Sequence, residues 1–173
     1  MTRLRLLLLL LTLSLPAGAA EAEAEATRFL AESFSQPPTS ATVWLTAELK
    51  PAVRAILGRD MTAARLRYWR LGNRTAWVLD EVGKEMPITV GIVVDDGAIT
   101  RMRVLAYRES RGWEVQSPNF LRQFAGARLG NEQQLDRSID GISGATLSVR
   151  ALTRVARLAL LLHQEASKKA PPP

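Results

Sequence analysis

From Ala98 to Tyr107 the side chains alternate: Ala, Thr, Met, Val and Ala take turns with Ile99, Arg101, Arg103, Leu105 and Tyr107. A period of two sends successive side chains to opposite faces, so the run reads as a strand with one face buried and the other partly wet. Ile88 to Val94 is a preceding apolar run, and Asp95-Asp96-Gly97 between the two is hairpin-turn chemistry. Upstream, Arg65 to Leu71 and Arg74 to Leu79 flank Gly72-Asn73, a second two-residue loop of the hairpin kind. Four consecutive antiparallel strands are expected.

Elsewhere the period lengthens to that of a helix. Leu152, Val155, Ala156, Ala159 and Leu162 form an apolar stripe on a long element from about Thr146 to Glu165. Pro51 to Leu57 predicts a shorter helix, with Gly58 in the C-terminal capping place. Ser117-Pro118 reads as an N-cap and first helical proline, after which Phe120, Leu121 and Phe124 share a side until Gly126. Phe29, Leu30 and Phe34 anchor a further short helix that Pro37-Pro38 stops. Helices around an antiparallel sheet of about four or more strands make this an α+β fold, a single domain with a long C-terminal helix. The expected domain covers 41–166. Residues 21–40, which open on a Glu-Ala repeat, form a lead-in, and 167–173, ending in three prolines, a disordered tail.

The first twenty residues belong to no such element. Arg3 and Arg5, an apolar run from Leu6, and small residues around Ala17 to Ala20 follow the order of a secretory signal peptide, too short for a comfortable membrane span. An uncleaved N-terminal anchor is the competing reading. Either way a periplasmic or otherwise extracytoplasmic location is expected, with membrane association possible. Discounting Arg3 and Arg5 lowers the formal charge from +6 to +4, a modest excess with no block of like charges. Arg101, Arg103, Arg108, Arg111, Arg122 and Arg128 nevertheless crowd one stretch, as a basic patch for a phosphate or anionic headgroups, or as an ordinary solvated face. No motif points to nucleic acid.

The cysteine count narrows the chemistry further. With no Cys, disulfides, thiolate-held clusters and thioether-attached haem are impossible. His163 is the single histidine, so a bis-His haem or a His-rich metal site is excluded as well. Near a helix C-terminus it is expected as a cation favoured by the dipole. Redox chemistry, if present, needs an organic cofactor.

One segment carries candidate chemistry: Asp140-Gly141-Ile142-Ser143-Gly144-Ala145-Thr146-Leu147-Ser148. Small and hydroxyl residues here feed directly into the long helix. The first helical turn leaves N–H groups unpaired and carries partial positive charge, so a phosphate is accepted naturally. A well-capped helix with no ligand explains the same residues, and these arguments alone leave both readings open.

That segment resembles the attachment motif of the FMN-binding domain family, which includes the flavin-carrying subunits of the sodium-pumping NADH:quinone oxidoreductase and of the Rnf complex. Asp140 stands in the acidic position, Ser143, Gly144 and Ala145 in the middle, and Thr146 on the flavin acceptor. Glu109-Ser110-Arg111-Gly112 resembles the family's Glu-x-x-Gly, with Ser110-Arg111 where the pump subunits have Thr-Pro, and Phe120 to Gly126 resembles the helix that follows. The likeness covers about 87–162. It implies covalent FMN, joined by a phosphoester to Thr146 by a separate flavin transferase that uses FAD and Mg²⁺. It also implies an electron carrier rather than a stand-alone enzyme, with no catalytic residue of its own and no metal site. A membrane-bound redox donor or acceptor protein is the expected partner. Candidate cofactor-binding residues are therefore Thr146, Asp140, Ser143, Gly144, Ala145, Glu109, Arg111, Gly112 and Trp113. Trp113 and Tyr107 are candidates for stacking on the isoalloxazine, Arg108 and Arg111 for pairing with phosphate or reduced flavin. The alternatives are a flavin-dependent reductase of a small exported substrate, or a cofactor-free binding module.

Overall fold

The computed structural model describes residues 17–168. The apolar run of the expected signal peptide lies outside the described residues, while Ala17 to Ala20, its expected cleavage region, begin the first helix. Five antiparallel strands form one sheet in the order β1-β2-β3-β4-β5: β1 (Thr39–Trp44), β2 (Arg65–Leu71), β3 (Arg74–Val82), β4 (Pro87–Asp95) and β5 (Ala98–Ala106). Among the described residues four α-helices accompany them: α1 (Ala17–Ser33), α2 (Lys50–Leu57), the single turn α3 (Pro118–Leu121) and α4 (Thr146–Lys168). Among the described residues no helix is long and apolar enough to cross a membrane.

Both hairpins fold as their turns dictate. Gly72 sits at φ 58°, and Asp96 and Gly97 at 47° and 74°, left-handed values that the twist of a tight hairpin requires. The strand that the sequence hides is β1, which pairs with β2 from Thr39↔Arg70 to Trp44↔Arg65. Only Val43 of its six residues is fully buried, so its apolar signal is weak. The ladder between β4 and β5 shifts register twice, between Val93 and Val94 and between Thr89 and Val90. The first shift sets both Ile99 and Met102 into the main core, so strict alternation fails there.

That core lies between one sheet face and α4. Leu152, Val155, Ala156, Ala159 and Leu162 are each 0% exposed, and fully burying a leucine contributes roughly 1.5–3 kcal/mol. Leu158, Leu160 and Leu161 are buried too, so burial spreads beyond the stripe: α2 covers the flank of α4 that the sheet does not reach. Trp77 stacks on Tyr68 at 4.8 Å and is wholly enclosed.

The opposite sheet face is covered as well. Residues 21–40, expected as a lead-in, supply the packing face of α1 and the start of β1. Phe29 of α1 is fully buried with Ala76, Val93 and Leu105. It rests on Gly91, where a Cβ would lie 2.7 Å from the ring, so only glycine leaves room for it. With helices on both sides, β4 is buried from Ile88 to Val94. α4 runs through Ser167 and Lys168, the first residues of the expected tail, and the rest of that tail lies outside the described residues.

His163 departs from the expectation of a cation at a helix end. It is buried beneath the β4–β5 turn, where Gly97 N–H donates to its Nε2 at 3.2 Å and its Nδ1 lies 2.8 Å from Thr75 Oγ1. A ring nitrogen that accepts from a backbone amide carries no proton, so the imidazole is neutral with its hydrogen on Nδ1. Burial holds its pKa below the usual 6.5, helped by Arg70 and opposed by Asp95 and Asp96. The unfolded chain therefore takes up a proton near pH 6.5 that the native state refuses, and stability falls as pH drops below that value. Urea midpoints are expected to decline between about pH 7 and pH 5, above the range of the carboxylates. His163→Gln should flatten that decline, and a slope unchanged by the substitution contradicts this assignment.

Candidate flavin site

The chain reaches α4 through a tight turn. Ala145 N–H donates to Ile142 O at 3.0 Å, and Gly144 between them takes φ 82°, a conformation that glycine adopts without cost. Val149 N–H reaches back to Ala145 O at 3.0 Å, so the amides of Thr146, Leu147 and Ser148 form the unpaired first turn. No acidic residue lies in that turn to offset its partial positive charge. Ala145 and Ser148 are buried and fasten the helix start to the core, which leaves Thr146 and Leu147 exposed.

A second segment docks against this start, and it contains Glu109 and Gly112. Glu109 Oε1 accepts from three consecutive backbone amides of the β3–β4 turn, Lys84 at 2.5 Å, Glu85 at 2.7 Å and Met86 at 3.0 Å. These bonds, that of Met86 foremost, hold its carboxyl below the usual range. Gly112, at φ 82°, presses on the helix: a Cβ there would lie 2.9 Å from the Tyr107 hydroxyl, 3.1 Å from Ala145 Cβ and 3.3 Å from Ser148 Oγ. Tyr107 completes the clamp by donating to Arg111 O at 2.5 Å, with Ser148 Oγ 3.0 Å away. Burial raises its pKa, so the phenol keeps the hydrogen that the clamp requires.

Two clefts open where these segments meet. The larger, about 560 Å³, has Thr146 in its wall with Lys84, Glu109, Arg111 and Leu147. The smaller, about 260 Å³, is bounded by Gly112, Trp113, Glu114 and Ser143. Ser110, Arg111 and Gly144 line both, so the two adjoin. Their size suits a small organic cofactor. A Cβ at Gly144 would meet no protein atom within 4 Å, so the join between the clefts is open space. A nucleotide-sized anion fits this set: unpaired amides and an exposed hydroxyl at one end, and a guanidinium with no ion pair or hydrogen bond among the described residues at Arg111.

The structure thus gathers Thr146, Ser143, Gly144, Ala145, Glu109, Arg111, Gly112 and Trp113 around one site. Asp140 does not line either cleft; its side chain is exposed and its amide donates to Gln123 at 2.8 Å. The arginine cluster divides. Arg101 and Arg103 pair with Glu32 and lie over Phe29, Arg108 binds Pro87 O and Thr89, Arg122 binds Asn119, and Arg128 binds Asp96 O. Arg108 is committed to β4, and of the six only Arg111 faces the clefts. Sequence reasoning missed Lys84, Ser110, Glu114 and Leu147 as lining residues. Ser110, Glu114 and Leu147 stand in or beside the two motifs and could have been found by placing their turns, whereas nothing local marks Lys84.

Residues 83–161 match the family model of the FMN-binding domain, close to the 87–162 over which the sequence resembles it. No curated protein matches the chain significantly. Among solved structures, the crystal structure of NqrC from Shewanella oneidensis superimposes with a TM-score of 0.61 at 13% identity, covering 86% of this chain and 99% of that one. At this identity the likeness is one of fold, and its coverage of the chain is wider than residues 83–161.

Proposed function

With residues 83–161 an FMN-binding domain, we propose that the protein is an extracytoplasmic electron carrier holding one FMN through a phosphoester to Thr146. The observation that carries this reading is the exposed hydroxyl of Thr146, first residue of a 23-residue helix, standing in the wall of the larger cleft. When bound, FMN supplies a centre that takes up and releases electrons.

The chain's own residues do the rest. The amides of the first turn of α4 would hold the phosphate oxygens, and Arg111 would add a charge at the join of the clefts. Glu109 and Gly112 hold the docking segment against the helix. No base lies beside Thr146 in the motif, so attachment falls to a separate flavin transferase acting on FAD. Thr146 Oγ bonds to the phosphorus of the FMN half, the bond from that phosphorus to the bridging oxygen breaks, and AMP leaves. The hydroxyl proton passes to a base of the transferase. A tethered flavin is retained where no free FMN is supplied, which suits an exported protein. Electrons come and go through docked partners, a membrane-bound redox protein among them.

Protein recovered from the extracytoplasmic fraction should have an intact mass above its polypeptide by one FMN less one water, and stay yellow in denaturant. Flavin that separates completely on unfolding overturns the covalent bond and leaves ordinary binding.

A further inference from the structure

We propose that the indole of Trp113 forms the face on which the isoalloxazine stacks, so that the ring system occupies the smaller cleft; this rests on covalent FMN at Thr146. The argument starts from the shape of FMN. Its phosphate and its ring system are separated by the ribityl arm, so fixing the phosphate at Thr146 forces the ring into a neighbouring space. The cleft that holds Thr146 continues past Ser110, Arg111 and Gly144 into the one bounded by Trp113. Gly144 offers no side chain at that passage, and the space a Cβ would take is empty.

Trp113 is 65% exposed, more than any other large apolar side chain among the described residues. Leaving so much aromatic surface in water is unfavourable unless something covers it. The other tryptophans have other surroundings. Trp77 is buried against Tyr68, Trp69 packs with the cluster under α1, and Trp44 lies beneath the Arg65 guanidinium on the edge strand. The backbone of Trp113 is nevertheless well fixed. It follows Gly112, which is wedged against α4, and it opens the short 3-10 turn Trp113–Gln116. The indole is thus free on its face but anchored at its root, as a stacking platform requires.

Tyr107, the other aromatic side chain nearby, does not serve. Its hydroxyl is bound to Arg111 O and Ser148, and it lines neither cleft. Leu147 and Met86, 43% and 44% exposed, flank the Thr146 end, but their aliphatic chains offer no π surface. With the ring on Trp113, Arg111 sits beside the flavin between phosphate and ring, and Leu147 stays free.

Flavin emission tests this, because a stacked indole quenches it by electron donation. Wild-type, Trp113→Phe, Trp113→Leu and, as a control outside the clefts, Trp44→Leu proteins are compared after matching covalent flavin by absorbance in denaturant. Flavin fluorescence lifetime should lengthen several-fold in both Trp113 variants. The visible circular dichroism of the flavin should survive in Trp113→Phe, which keeps a ring to stack on, and collapse in Trp113→Leu. Trp44→Leu, which removes an exposed indole that lines neither cleft, should leave both signals as in wild type. A wild-type lifetime in Trp113→Leu, or a lengthening that follows Trp44→Leu instead, overturns the proposal while the covalent bond stands. Wild-type protein with no added FMN mass removes the underlying reading, and the stacking with it.

Discussion

Thr146→Ala protein is expected to carry no covalent flavin and to fold almost as well as the original. The hydroxyl is the sole atom of the side chain that can bond to phosphorus, so its removal takes attachment from full to none. The fold should hardly notice, because Thr146 is exposed and makes no side-chain hydrogen bond among the described residues. A surface change of this kind costs about 0.5 kcal/mol or less, and alanine is the better helix former. Thr146→Ser should keep partial attachment, since it retains the hydroxyl on a less restricted side chain. Mass spectrometry of the intact chains and of their peptides reads the result. Covalent flavin found on Ser143 or Ser148 in the Thr146→Ala protein would move the attachment point, and Ser148 is the poorer candidate because it is buried.

What could be read in the sequence was what local rules decide. The β2–β3 and β4–β5 hairpins were legible because Gly72 in one turn and Asp96-Gly97 in the other supply the left-handed residues that tight turns need. α2 and α4 were legible from period and from the cap at Gly58, and Thr146 from a motif that is contiguous in the chain. β1 was not, because an edge strand with one buried residue has almost no pattern. The place of Phe29 was also hidden, since a glycine on β4 makes its pocket. His163 was misjudged for a related reason. Its position near a helix end is local, whereas its burial under Gly97 and beside Thr75 depends on where β3 and β4 lie. The six arginines are close in sequence, but β5 sends two of them toward α1 and loops scatter the rest. In the Glu109-to-Gly112 stretch the residue types were recognised and their reasons were not: Glu109 serves a turn 23 to 25 positions upstream, and Gly112 a helix start far downstream.

Gly112→Ala should be among the most damaging single methyl additions in the protein, and two separate costs add in it. The first is conformational: at φ 82° a side chain loses about 1–2 kcal/mol relative to glycine. The second is steric, because the new Cβ lies 2.9 Å from the Tyr107 hydroxyl and 3.1 Å from Ala145 Cβ. Neither neighbour can yield cheaply. The Tyr107 hydroxyl is held by Arg111 O and Ser148, and Ala145 is the backbone entry to α4. Overpacking of this kind costs about 1–3 kcal/mol, so a loss of roughly 2–5 kcal/mol is expected in urea unfolding. Gly58→Ala separates the two costs. Gly58 has φ 72° and nothing within 4 Å of a Cβ, so its substitution incurs the conformational cost alone. The difference between the two variants measures how tightly the docking segment presses on the helix. Flavin attachment should fall with Gly112→Ala and stay intact with Gly58→Ala, because only the former pushes the 109–113 segment away from Thr146. Equal destabilisation by the two substitutions, with attachment unaffected in both, would show that the contact does not shape the site.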